Sequence, residues 1–147
     1  MEKMKFEVLP KMKFEAQKFF GPNPPPCYPI LFVGDRWSCI THVAIAKRAF
    51  TGAVAIATIA PKGESGSGDP AIVGIYVKKE FRGKGIGTWL LQKTVEYMEK
   101  QGLVPIRVDV LNSKVLRMIK NIPSEVSNKI NIVDNTMEGM LDFIMES

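Results

Sequence analysis

A single histidine and two cysteines leave little material for metal or thiol chemistry in these 147 residues. Cys27 and Cys39 are too few for a disulfide framework and stand at no metal-ligand spacing. Each reads as a small apolar filler rather than a nucleophile. His42, the one histidine, lies inside the apolar alternation from Ile40 to Ala46 and reads as a core or edge residue. With no carboxylate cluster to join it, no metal is expected. Long apolar runs are absent as well. Nothing approaches the ~18 residues needed to cross a bilayer, so no membrane partner is expected. The first ten residues alternate charged with apolar side chains and lack the apolar stretch of a signal peptide. A cytoplasmic location is therefore expected.

What is present suits one soluble domain spanning 1–147, long enough to bury roughly two-thirds of its unfolded surface. The net charge is +5, but it is unevenly placed. All 20 Lys and Arg precede residue 130, against 11 acids, whereas the last 18 residues carry four acids and no base. A basic body suits an anionic small molecule or a nucleic acid. No helix pair, zinc finger or aromatic RNA-binding strand supports the second, so nucleic acid is not the expected partner.

Residues 3–7 (Lys-Met-Lys-Phe-Glu) recur at 11–15, an echo too short for a solenoid. In the first copy Met4, Phe6 and Val8 alternate with Lys3, Lys5 and Glu7, which predicts an amphipathic strand. The second copy, running on to Phe20, fits a strand or a short helix. Residues 21–29 hold five prolines and predict a stiff, extended connection. Strands are predicted at about 30–34, 38–46, 53–60 and 71–77, with a mobile glycine-serine linker from Pro61 to Pro70. A helix over 88–100 turns Trp89, Leu90, Val95 and Met98 to the sheet and stops at Gly102. A strand over 105–110 and a helix from about Asn112 or Ser113 to before Pro123 follow. Residues 130–133 predict a last strand. Met137, Met140, Leu141, Ile144 and Met145 then share one face of a C-terminal helix, to be covered by the sheet or by a second copy in a homodimer. The order predicts an α/β (α+β) domain: a mixed, mostly antiparallel central sheet with helices packed on both faces.

The most informative segment is Arg82-Gly83-Lys84-Gly85-Ile86-Gly87, set between the strand Ala71–Val77 and the helix that follows. Glycines let backbone N–H groups approach a phosphate without a Cβ in the way. The helix start behind them adds unpaired N–H groups and partial positive charge. Lys78, Lys79, Arg82 and Lys84 surround the same spot. The spacing G-x-G-x-G is not the dinucleotide G-x-G-x-x-G, and no Gly-Lys-Ser/Thr follows as in nucleoside triphosphatases.

Arg82, Gly85 and Gly87 instead occupy the fixed positions of R-x-x-G-x-G. This resembles motif A, the coenzyme A pyrophosphate loop, of the GCN5-related N-acetyltransferase (GNAT) family. The resemblance is close from about Ile72 to Gly102, weaker from Leu103 to Pro123, and faint outside residues 40–123. It implies acetyl-coenzyme A as co-substrate, its pyrophosphate on residues 82–88 (Arg82, Gly83, Lys84, Gly85, Ile86, Gly87, Thr88). It implies pairing of the pantetheine arm with the backbone of Ile75, Tyr76 and Val77, and a Val77 N–H facing the thioester oxygen as an oxyanion donor. Asn112 matches the asparagine of the family's next motif and serves equally well as a helix cap.

Other family features are missing. The tyrosine that often follows that asparagine by seven residues, to protonate the leaving thiolate, is Ile119 here. The glutamate that often acts as base on the strand before motif A is also absent. That strand offers only Tyr76 as an ionisable side chain, between Asp69 and Glu80 at its ends. Proline leaves little room for the two helices that usually wall the acceptor site. The expected function is direct acetyl transfer to an amine, since no cysteine lies near the motif to carry the group. The alternative is a sensor or interaction module that binds acetyl-coenzyme A without turnover.

Overall fold

The structure, a computed structural model, describes residues 3–22, 35–63, 68–110 and 113–134. The strand expected at 30–34, Cys27, Asn112 and the C-terminal methionine helix lie outside the described residues.

Six strands form one sheet in chain order: β1 (Met4–Pro10), β2 (His42–Arg48), β3 (Gly52–Ala60), β4 (Ala71–Val77), β5 (Ile106–Val110) and β6 (Ile130–Asp134). β1 to β4 pair antiparallel, and β4–β5 and β5–β6 pair parallel. The alternation read in β1 sends Met4, Phe6 and Val8 to the main core. Glu7 faces away and meets Lys47 of β2 at 2.7 Å, a hydrogen bond that holds its carboxyl below the usual carboxylate range.

Helix α3 (Ile86–Lys100) covers one face of the sheet, burying Leu90, Leu91, Val95 and Met98 on Ala44, Ala57 and Ile72. Two further helices, α4 (Ser113–Asn121) and α5 (Ser124–Ser127), close this core with Ile119, Ile122 and Val126. The opposite face carries α1 (Ala16–Phe20) and α2 (Asp35–Cys39). There Phe19 packs on Val43, Ile45 and Ile56, and Trp37 packs beside it. Helices on both faces of a mostly antiparallel sheet were the expected architecture.

Several boundaries differ from the sequence reading. Of the two alternatives for the second copy of the echo the short helix holds, as a 3-10 turn (Lys11–Lys13) followed by α1. The strand expected from residue 38 begins at His42. Residues 35–39 are helical, and Ile40 still donates its N–H to Trp37 O at 3.2 Å. The ladder starts only where Thr41 N–H reaches Ile59 O at 3.0 Å. Proline was expected to leave little room for two helices between the first strands, yet two occur there, each five residues long, on either side of 23–34. α3 starts at Ile86, two residues earlier than expected, and α5 was not anticipated.

Candidate cofactor and acceptor site

The site follows from one extra residue in β4. Thr58 of β3 is paired with Gly74, but the next residue, Ile59, is paired with Ile72. Val73 is therefore a bulge, which bends and twists the strand that carries it. Pairing with β5 ends at once: Ala71 faces Arg107, Ile72 faces Val108, and no later β4 residue has a β5 partner. Past the bulge the two parallel strands splay apart.

The bulge also resets which side chains face where. Ile72 packs in the main core, and so do Ile75 and Val77, whereas strict alternation would have put Ile72 with Gly74 and Tyr76. Tyr76 turns to the opposite face and packs with Phe19 and Phe20. The backbone alternates likewise. Lys78 donates its N–H to Val54 O across β3, at 2.9 Å. The N–H and C=O groups of Ile75 and Val77 consequently point to the splayed edge. Arg82 takes one of them, its Nε donating to Val77 O at 2.9 Å.

A 3-10 turn (Lys79–Phe81) carries the chain from β4 into the glycine segment, where each glycine has a separate task. Gly83 and Gly85 sit at φ +78° and +80°, a left-handed backbone that side chains with a Cβ enter at a cost. A Cβ on either would meet nothing within 4 Å, so the space in front of both is open. Gly87 is different. It lies inside the first turn of α3, and a Cβ there would stand 2.6 Å from Met118 Cε and 3.4 Å from Val77 Cγ2. It lets α3 approach α4. Gly85 caps the helix without a side-chain hydrogen bond, and no acid lies in the first turn, so its leading N–H groups face outward.

These parts surround one cavity of about 820 Å³. Ile75, Tyr76 and Val77 line it from β4, and Arg82, Gly83 and Gly85 from the glycine turn. Ile86, Gly87 and Thr88 line it from the start of α3. Lys84 is exposed beside it, with Nζ 5.7 Å from the Phe81 ring. The opposite wall is α4, through Lys114, Arg117, Met118 and Asn121. That wall was not recognised in the sequence. Its signal, positions 114, 117, 118 and 121, is the i, i+3, i+4, i+7 stripe of one helix face. Among the described lining residues are three cations and no carboxylate, which suits a polyanion.

The remaining candidates fall elsewhere. His42 pairs with Ile59, at the closed end of the splay and two strands from β4, and its Nδ1 lies 2.8 Å from Thr41 Oγ1. Cys39 packs beside Ile40, Ala60 and Val73. Among the described residues no three His, Cys, Asp or Glu side chains gather to hold a metal, and no helix is long and apolar enough to cross a membrane. Ile119 is 4% exposed inside the core, so the position of the family's tyrosine carries only buried hydrocarbon.

Compared with known proteins, residues 11–121 match the model of the acetyltransferase (GNAT) family, about three-quarters of the chain. The chain belongs to that family. The match extends the resemblance read from the glycine turn back to the second copy of the N-terminal echo. A 53-residue stretch is 40% identical to an uncharacterized N-acetyltransferase of Methanocaldococcus jannaschii, covering 35% of this chain and 24% of that protein. An IAA acetyltransferase of Bacillus cereus shares the fold, with a TM-score of 0.57 over 80% of this chain and 74% of that one. At 21% identity that likeness concerns architecture alone.

Gly87 offers a test of how the walls fit. Gly87→Ala should keep or raise stability, since alanine favours a helix interior by about 1 kcal/mol over glycine. The added methyl displaces Met118, which lines the cavity. Ligand affinity should therefore fall several-fold while the melting temperature does not. Calorimetric titration beside thermal denaturation reads both.

Proposed function

We propose that this domain binds acetyl-coenzyme A in the splay between β4 and β5 and transfers its acetyl group directly to an amine. The observation that carries the reading is the joint placement of an open β4 edge and an outward-facing α3 N-terminus on one cation-lined cavity. The residues present fit the co-substrate. Gly83 and Gly85 leave room for a pyrophosphate. The N–H groups of residues 86–88 and the charge of Arg82 meet it. Lys114 and Arg117 add positive charge from across the cavity.

When bound, acetyl-coenzyme A supplies the activated acyl group, and the chain's own task is to orient and polarise it. The edge groups of Ile75 and Val77 offer the pantetheine arm a strand to pair with. The Val77 N–H is the proposed oxyanion donor, and the Ile75 N–H points the same way two residues along. A preformed donor of this kind contributes about 2.7–4 kcal/mol where charge develops on the carbonyl oxygen. Tyr76 brings the strand's single ionisable side chain to the cavity wall. A cytoplasmic setting for this reaction remains the expectation from the sequence.

Thermal denaturation tests the reading. At 100 times its dissociation constant a ligand stabilises the fold by about 2.7 kcal/mol. In a domain of this size that raises the melting temperature by roughly 5–10 °C. No shift with millimolar acetyl-coenzyme A would remove the assignment.

A further inference from the structure

We infer that the acceptor is an α-amine borne by an aromatic or large apolar side chain, and that Phe20 and Tyr76 receive that side chain. The inference rests on the acetyl-transfer reading above and names the substrate class of the same site. Tyr76 belongs to two environments at once. It lines the cavity, and its ring centroid stands 5.1 Å from Phe20 and 6.0 Å from Phe19 on the face opposite α3. Phe19 is buried and forms the floor, with Phe14 at 5.9 Å from it, while Phe20 and Tyr76 are partly exposed. An aromatic surface thus continues from the place where the acyl group would lie, and it selects apolar bodies by about tenfold or more per added group.

The charges set directly against these rings are cations. Arg82 lies 5.3 Å from the Tyr76 ring centre and Lys78 Nζ 4.8 Å from that of Phe19. Glu80 is exposed on the turn after β4, and the described acids of the neighbouring elements are paired, Glu15 with Lys18 at 3.5 Å and Glu7 with Lys47 at 2.7 Å. A polyamine or a lysine side chain would arrive as a cation among cations. A neighbouring positive charge also favours the neutral form of an amine. No described carboxylate or histidine lines the cavity to take a proton, so the acceptor must supply its own free base. At pH 7 roughly 10–20% of peptide α-amines are unprotonated, against about 0.04% of lysine amines. The α-amine is the class that this site can use.

The experiment compares acceptors on the wild-type protein and measures acetyl-coenzyme A binding separately. Phenylalanine amide should exceed glycine amide at least tenfold in kcat/KM, and spermidine and Nα-acetyl-lysine amide at least a hundredfold. Phenylalanine amide should also raise the melting temperature of the coenzyme A-loaded protein. Phe20→Ala should abolish both the preference over glycine amide and that shift, leaving acetyl-coenzyme A affinity within twofold. Free phenylalanine and a Phe-Gly dipeptide, run in parallel, distinguish a free amino acid from a peptide start as the source. Spermidine or the lysine derivative as best acceptor, equal rates for the two amides, or no acceptor at all despite acetyl-coenzyme A binding would overturn the inference. Failure to bind acetyl-coenzyme A would instead strike the reading beneath it.

Discussion

Gly85→Asp should remove acetyl-coenzyme A binding while leaving the fold almost as stable as before. Two opposed effects act on the folded state. Residue 85 has φ +80°, so any Cβ costs about 1–2 kcal/mol, less for aspartate than for most residues. A carboxylate at a helix N-terminus returns about 0.3–1 kcal/mol. A Cβ at this position meets nothing within 4 Å, so the side chain leaves the backbone into open space. The melting temperature should therefore drop by only a few degrees.

Binding responds quite differently to the same carboxylate. It would stand in the space assigned to a pyrophosphate, at the cost of about 1–4 kcal/mol for each like charge near 4 Å. Two such repulsions weaken binding from roughly thirtyfold to beyond a thousandfold, and the thermal shift with millimolar ligand should vanish. Gly85→Asn has nearly the same shape and tolerates the same backbone without the charge, so it should retain much of the affinity. If the aspartate variant binds acetyl-coenzyme A within threefold of wild type, the pyrophosphate does not lie on this turn.

What could be read in the sequence was what local chemistry specifies. Ala71–Val77 and the glycines after it announce a strand and an anion-binding turn, because β-branched residues and glycines act on their own backbone. The bulge at Val73 leaves only the faint mark of Gly74 beside it, since Ala-Ile-Val-Gly-Ile-Tyr-Val is a continuous apolar run with no polar alternation for an extra residue to break. Without it Tyr76 would share a face with Ile72, and its meeting with Phe19 and Phe20 would not occur. Those two phenylalanines lie more than 50 residues away in the chain, beyond any local pattern. Lys114 and Arg117 look like an ordinary solvated stripe of α4 until the splay gives that stripe something to face. The start of α3 was missed because glycine at 85 and 87 masks a helix whose cap is backbone conformation rather than a serine or aspartate. Ser38-Cys39-Ile40 fits either element, and packing of Trp37 against the cluster around Phe19 accompanies the helix at 35–39.

The rate of transfer should climb with pH and then level off, with no falling limb. Ile119, where the family often has a proton-donating tyrosine, is buried hydrocarbon, and no described carboxylate or histidine lines the cavity. The departing thiolate has a parent pKa near that of a cysteine, ~8.5, and needs no strong acid to leave. The controlling ionisation is then the acceptor's own. For an α-amine of pKa about 7.7–8.0, kcat/KM should rise nearly tenfold per unit below pH 7 and flatten above about 8.5, roughly fiftyfold or more between pH 6 and 9. An amine of the lysine type would keep the curve rising towards ~10.4. Tyr76→Phe keeps the ring and deletes the one hydroxyl of β4. A loss of 10²–10⁴ would assign that hydroxyl the proton transfer, whereas a change within threefold would leave it as part of the aromatic wall. A bell centred near neutrality that persists in Tyr76→Phe would mean that a tuned acid–base pair lies elsewhere in the chain. Tight acetyl-coenzyme A binding without turnover on any amine, at any pH, would make the domain a binding module built on an acetyltransferase fold.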